Sequence, residues 1–204
     1  MSICKTVAAA AALALAGAAS AASLNNGSFE SGTLAGWVSS PGSASLVKTQ
    51  ATDVAPSWGS FAAQLTAGRG TGLYTYLYQT FTLNEGDSLA GVAKWVGNGT
   101  PTANDDGYVS LSNLDLGAPV MLFFGSVQTF GSMASSPWTY FSFTAPQAGD
   151  YTLTSAVANK ANNLSPSSLL VDFSVSAVPE PSGLSLTLAG LGALAVVARR
   201  RKAR

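Results

Sequence analysis

The chain has 204 residues, with 10 Lys and Arg against 10 Asp and Glu, no histidine and a single cysteine. Its formal charge is zero and 47% of residues are hydrophobic, which excludes a disordered tail and leaves no basic excess to neutralise nucleic-acid phosphates. Without histidine no Ser-His-Asp triad, Cys-His pair or histidine-ligated zinc can be built, so any catalysis would rest on carboxylates or a Ser-Lys arrangement.

In chain order, residues 1–22 read as a signal peptide for the general secretion machinery. Lys5 gives a positive start, Val7–Ala16 is apolar, and Ala19-Ser20-Ala21 supplies the small residues a signal peptidase needs. Cys4 leaves with this segment, so the exported chain has no thiol for a disulfide, redox or nucleophilic role.

Residues 23–176 are long enough for one buried core. They divide into short alternating runs: Ala44–Gln50, Phe61–Leu65, Leu73–Leu83, Leu89–Val96, Gly107–Leu114, Val120–Phe124, Trp138–Phe143, Tyr151–Ala158 and Leu169–Val175. Gly, Pro, Asn and Asp turns separate them and no helical period competes, so the expected fold is all-β, a single β-sandwich of jelly-roll type. In Leu73–Leu83, Tyr74, Tyr76, Tyr78, Thr80 and Thr82 lie on one face and Leu73, Thr75, Leu77, Gln79, Phe81 and Leu83 on the other. In Leu169–Val175, Leu169, Val171, Phe173 and Val175 form the core face.

Flat aromatic rows stack on sugar rings, which makes Tyr74, Tyr76 and Tyr78 candidate ligand contacts, with Trp58, Trp95 and Trp138 as further aromatics. A sugar site also needs polar partners, and Asn104-Asp105-Asp106-Gly107 offers them near Asn98 and Gln79, with Asp105 and Asp106 as the candidates. The competing readings are core packing for the aromatics and a simple turn for the acids. The same acid pair raises glycoside hydrolysis, but adjacent strand residues point to opposite faces and make poor catalytic geometry, so the expectation is a protein that is not an enzyme.

Past the domain, Val178-Pro179-Glu180-Pro181-Ser182 precedes an apolar stretch, Gly183–Ala198, and the basic end Arg199-Arg200-Arg201-Lys202-Ala203-Arg204. Sixteen residues make a helix of about 24 Å, a short membrane helix that snorkelling arginines extend, with the basic end cytoplasmic. The prolines break the helix ahead of the membrane and leave an accessible hinge.

Pro-Glu-Pro, an apolar helix and an arginine cluster over residues 177–204 resemble the PEP-CTERM sorting signal of Gram-negative bacteria. The resemblance implies an exported protein, held transiently in the inner membrane and processed by exosortase near Pro179, Glu180 and Pro181. Arg199, Arg200 and Arg201 would form the basic end of that signal, with delivery to the cell surface or an exopolysaccharide matrix. The domain's opening, Asn26-Gly27-Ser28-Phe29-Glu30 followed by Gly36-Trp37, resembles galactose-binding-like jelly rolls, among them carbohydrate-binding modules. The strand Leu169-Leu170-Val171-Asp172-Phe173-Ser174-Val175 resembles their closing strand.

That second resemblance implies a structural Ca2+ held by Glu30 and Asp172, with carbonyls of Asn25–Ser28 adding oxygens. Ser174 stands where such strands often carry a second acid. Three functions remain open at this point: non-catalytic binding of glycan such as exopolysaccharide, a structural or adhesive matrix role without a ligand site, and a carboxylate-based polysaccharide hydrolase. By parts, the chain's zero charge resolves into an acidic middle, where Lys48, Arg69, Lys94 and Lys160 face nine acids. An acidic domain argues further against nucleic acid as a partner.

Overall fold

The computed structural model describes residues 23–40, 44–48, 59–68, 71–98, 104–160, 165–178 and 190. The expected signal peptide, Trp58, Arg69, Pro179, Glu180, Pro181, and Arg199, Arg200 and Arg201 lie outside the described residues, as does nearly all of the apolar stretch between 183 and 198. The compact unit that carries the described elements is Ala21–Ala177. The other unit, Met1–Ser20 with Val178–Arg204, lies outside the described residues except for Val178 and residue 190. Among the described residues no helix is long and apolar enough to cross a membrane.

The elements in order are β1 (Val38–Ser39), β2 (Ala44–Lys48), β3 (Phe61–Thr66), β4 (Tyr74–Leu83), β5 (Ser88–Val96), β6 (Asp106–Ser112), β7 (Val120–Ser126), the four-residue helix α1 (Val127–Phe130), β8 (Thr139–Thr144), β9 (Gly149–Ala158) and β10 (Ser168–Ser176). A 3-10 turn, Leu114–Leu116, joins β6 to β7, its first turn capped by Asn113. Two five-stranded antiparallel sheets result, in the orders β1-β4-β9-β6-β7 and β2-β3-β10-β5-β8. The expected all-β sandwich is what the chain forms.

Alternation determines which side chains meet between the sheets. From the first sheet come Leu77, Phe81, Leu83, Val109, Leu111, Phe123, Tyr151, Leu153 and Val157; from the second come Leu65, Leu89, Ala93, Trp95, Phe141, Leu169, Val171 and Phe173. Gly91 is opposite Phe173 on β10 and Phe141 on β8, and a Cβ there would collide with both rings. The missing side chain is what lets the two rings approach, with centroids 6.2 Å apart. Trp95 is accommodated in the same way: a Cβ on Gly125 would come within 2.7 Å of it, and one on Gly107 within 3.1 Å.

The opening segment closes one part of this core. Phe29, Trp37 and Phe173 form an aromatic cluster with centroid separations of 5.3, 6.3 and 5.6 Å. Asn26 and Phe29 take positive φ (51° and 58°) to turn the chain inward, and the Gly27 carbonyl accepts from Phe173 N. Gln79, inward-facing on β4, accepts from Asn25 N at 2.7 Å and donates to the Asn25 carbonyl at 2.9 Å. Gln79 therefore ties down the opening loop and is not a polar partner for a surface ligand.

Candidate functional site: the outer face of the β1-β4-β9-β6-β7 sheet

Because directly paired residues share a face, the register builds this surface row by row. Tyr76 lies opposite Ala156, Ala156 opposite Tyr108, and Tyr108 opposite Phe124, a row crossing β4, β9, β6 and β7. The next row is Tyr78, Thr154, Ser110 and Met121, with Val38 of β1 beyond Tyr78. Thr80, Thr152 and Ser112 follow, and then Thr82 with Asp150. On the other flank are Tyr74, Ala158, Asp106 and Ser126.

The small residues are as important as the rings. Ala156 and Ala158 form a low floor between Tyr74 and Tyr76 on one side and Tyr108 on the other, whose backbones lie two strands, about 10 Å, apart. Tyr76 is 40% exposed, Phe124 48% and Met121 56%, so this face keeps a large share of its apolar surface in water. The rings also order one another: Tyr76 and Tyr78 centroids are 5.9 Å apart, and Tyr74 meets Tyr108 edge-on at 5.5 Å. Neutral hydroxyls line the remainder, with Thr80 and Thr152 sharing a hydrogen bond at 2.8 Å.

At the Tyr74 flank, Asp106 organises a charged knot. The Tyr74 hydroxyl donates to Asp106 Oδ1 at 3.0 Å, and Lys160 Nζ pairs with Asp106 Oδ2 at 2.9 Å. The same ammonium stands 5.3 Å from the centroid of the Tyr74 ring, a cation–π arrangement. Hydrogen bonds to Tyr74 first, and then to Asp106, push the Lys160 ammonium well above the ordinary lysine range. Burial, then the neighbouring Tyr74 and Asp106, push the Tyr108 hydroxyl up as well.

The structure brings Tyr74, Tyr76, Tyr78 and Asp106 together on this face and separates Asp105 from them. Asp105 precedes β6 on the inward side, fully buried, where its Oδ2 accepts from Ser167 Oγ at 2.7 Å and from Ser167 N at 3.2 Å. Trp95 is buried in the core, Trp138 is half-buried, and neither lies on this sheet. Tyr108, Phe124, Met121, Val38 and Lys160 are the members that reading the sequence did not select. The alternation Gly107-Tyr108-Val109-Ser110-Leu111, with Val109 and Leu111 inward, was the available signal for Tyr108.

Of the residues expected to hold calcium, Glu30 lies in the opening turn and Asp172 on β10. Glu30 Oε1 accepts from Ser60 N at 2.6 Å and Phe61 N at 2.8 Å, and its carboxylate lies against Gly59. Asp172 is buried on the side of β10 opposite Leu169, Val171 and Phe173. The carbonyls of Asn25, Asn26 and Gly27 already accept from Gln79, Trp37 and Phe173. Calcium requires six to eight hard oxygens, and among the described residues no group of three or more His, Cys, Asp or Glu gathers, so backbone carbonyls would have to complete any set around this pair.

Hydrolysis is poorly served. The two carboxylates of this face are Asp106, paired with Ala158, and Asp150, eight residues back along β9, about 27 Å away. Glycosidase carboxylates flank one bond at roughly 5–10 Å.

Comparison with known proteins agrees on both parts of the chain. The PEP-CTERM protein-sorting motif matches residues 177–202, so the chain carries the C-terminal signal of an exported protein that is transiently anchored in the membrane. The structure of TmCBM61 in complex with β-1,4-galactotriose is similar with a TM-score of 0.50 at 16% identity, covering 78% of this chain and all of that one. A family 16 carbohydrate-binding module is similar at 17% identity and a TM-score of 0.44, covering 74% of this chain and 96% of that one. A family 22 module from Clostridium thermocellum Xyn10B gives 14% identity and 0.43, covering 78% and 98%. No curated protein matches the chain. The sandwich shares its fold with TmCBM61.

Proposed function

We propose that the domain is a non-catalytic glycan-binding module, exported by general secretion, released from the inner membrane by exosortase near Pro179–Pro181, and delivered to the cell surface or an exopolysaccharide matrix. The observation that carries the binding reading is the aromatic row of exposed Tyr76 and Phe124 with half-buried Tyr108 between them, laid over an alanine floor and flanked by hydroxyls. Sugar rings present flat C–H faces to such rings and hydroxyls to their polar neighbours. The fold shared with TmCBM61, which was solved with a galactotriose, supports the reading, as does the sorting motif.

A polysaccharide affinity screen tests it. The native domain is expected to be retarded by at least one glycan, and Tyr76→Ala to weaken that binding by roughly tenfold, about 1.4 kcal/mol. Retention undiminished in Tyr76→Ala would sink this face as the site. The exposed apolar side chains Val38, Met121 and Phe124 also suit protein contacts in a structural matrix role. Failure to bind any glycan favours that second reading.

A further inference from the structure

We propose that the glycan taken by this face is uncharged, and that uronic-acid and sulfated polysaccharides are discriminated against by the way Asp106 occupies Lys160. The inference rests on the reading of the outer face as a glycan site and deepens it to a ligand class.

Cations are few in this domain. Residues 23–176 contain Lys48, Arg69, Lys94 and Lys160. Lys48 lies on β2 and Lys94 on β5, both strands of the other sheet, and Arg69 lies outside the described residues. Among the described residues Lys160 is the cation that reaches this face. Its ammonium is engaged from two sides, by the Asp106 carboxylate at 2.9 Å and by the Tyr74 ring at 5.3 Å. A polyanion binds a protein chiefly through ammonium or guanidinium groups free to pair with its charges. Here the pairing is already made internally.

The acids point the same way. Asp106 is neutralised by Lys160, whereas Asp150 at the far end of the rows is exposed and its Oδ1 accepts from a neutral donor, Thr82 Oγ1, at 2.8 Å. An acidic chain laid along the rows would meet a carboxylate with no compensating cation, on a domain in which nine acids face four bases. Neutral sugar hydroxyls would meet Thr154, Ser110, Thr80, Thr152 and Ser112, neutral donors and acceptors in the Tyr78 row and the row beyond it. Lys160 also covers one side of the Tyr74 ring, which makes Tyr74 a positioning residue for Asp106 and Lys160 and leaves Tyr76, Tyr78, Tyr108 and Phe124 for stacking.

The test is affinity electrophoresis of the native domain in gels containing β-1,4-galactan, xylan, polygalacturonate or alginate, at low ionic strength and at about 0.15 M salt. The expected result is retardation by a neutral polymer that salt leaves unchanged, and none by the two acidic polymers. Retardation by polygalacturonate or alginate that fades with salt overturns the ligand class while leaving the glycan site standing. Retardation by none of the four overturns the site reading itself. In Asp106→Asn, which keeps an acceptor for Tyr74, the freed ammonium is expected to raise low-salt binding to polygalacturonate by roughly tenfold. A folded Asp106→Asn that stays blind to the acidic polymer overturns the role given to the ion pair, and the native measurement decides the ligand class even if the variant does not fold.

Discussion

Asp105 and Asp106 share a peptide bond, yet one points into the sandwich and the other out of it. Counting back from the inward residues Val109 and Leu111 through Gly107 places Asp105 inside, a phase legible in the sequence once the strand is accepted. What was not legible is the reason a carboxylate is tolerated there, because Ser167 lies 62 residues away and meets it only through the sheet pairing. Replacing Asp105 with Ala strands the Ser167 N–H and hydroxyl in the interior and is expected to cost about 2 kcal/mol by urea denaturation. A loss below about 0.5 kcal/mol would contradict that role. The turn motif of Glu30 is compatible both with binding an ion and with capping the amides of Ser60 and Phe61, from which its Oε1 accepts. Chelation of divalent ions separates the two: a fall in the melting midpoint shows that an ion binds, and an unchanged midpoint removes the calcium expectation.

Nine runs were expected at the level of elements and ten strands are described, because Val38–Ser39 is too short to show any alternation. Long runs are legible to within a residue or so: Leu73–Leu83 forms Tyr74–Leu83, and Leu169–Val175 forms Ser168–Ser176. Strand order was not readable, since the partners of β9 and β10 are chosen by tertiary complementarity, not by local pattern. That order is what places Tyr108 and Phe124 beside the β4 tyrosines, so half of the candidate site was hidden until the strands were paired. The junction of β10 with the opening turn carries the clearest stability prediction. Phe173 contacts Phe29, Trp37 and Phe141, and Phe173→Ala is expected to cost about 3–5 kcal/mol, lowering the melting midpoint by roughly 10 °C or more. A shift of less than about 3 °C would mean that the cluster does not hold the core.

For the whole molecule, zero net charge conceals an acidic middle domain between two basic ends. The chain has no histidine, and Lys160 and Tyr108 are both pushed upward, away from neutrality. The sign follows from the direction of both shifts. Each group holds its proton more tightly in the fold, so its contribution is complete below the unfolded values, about 10, and is lost only as pH climbs beyond them. Glycan affinity is accordingly expected to stay flat between about pH 6 and 9 and to fall in strong alkali, and a step near neutrality in a binding titration would contradict this. The most direct measurement of the central claim is calorimetric titration of the best glycan from the affinity screen against three proteins: native, Tyr76→Ala/Tyr108→Ala, and Tyr140→Ala, which removes an exposed ring from the outer side of the other sheet. The account predicts binding lost in the double variant and retained within about twofold in Tyr140→Ala, whereas the reverse pattern would place the site on the opposite sheet and contradict it.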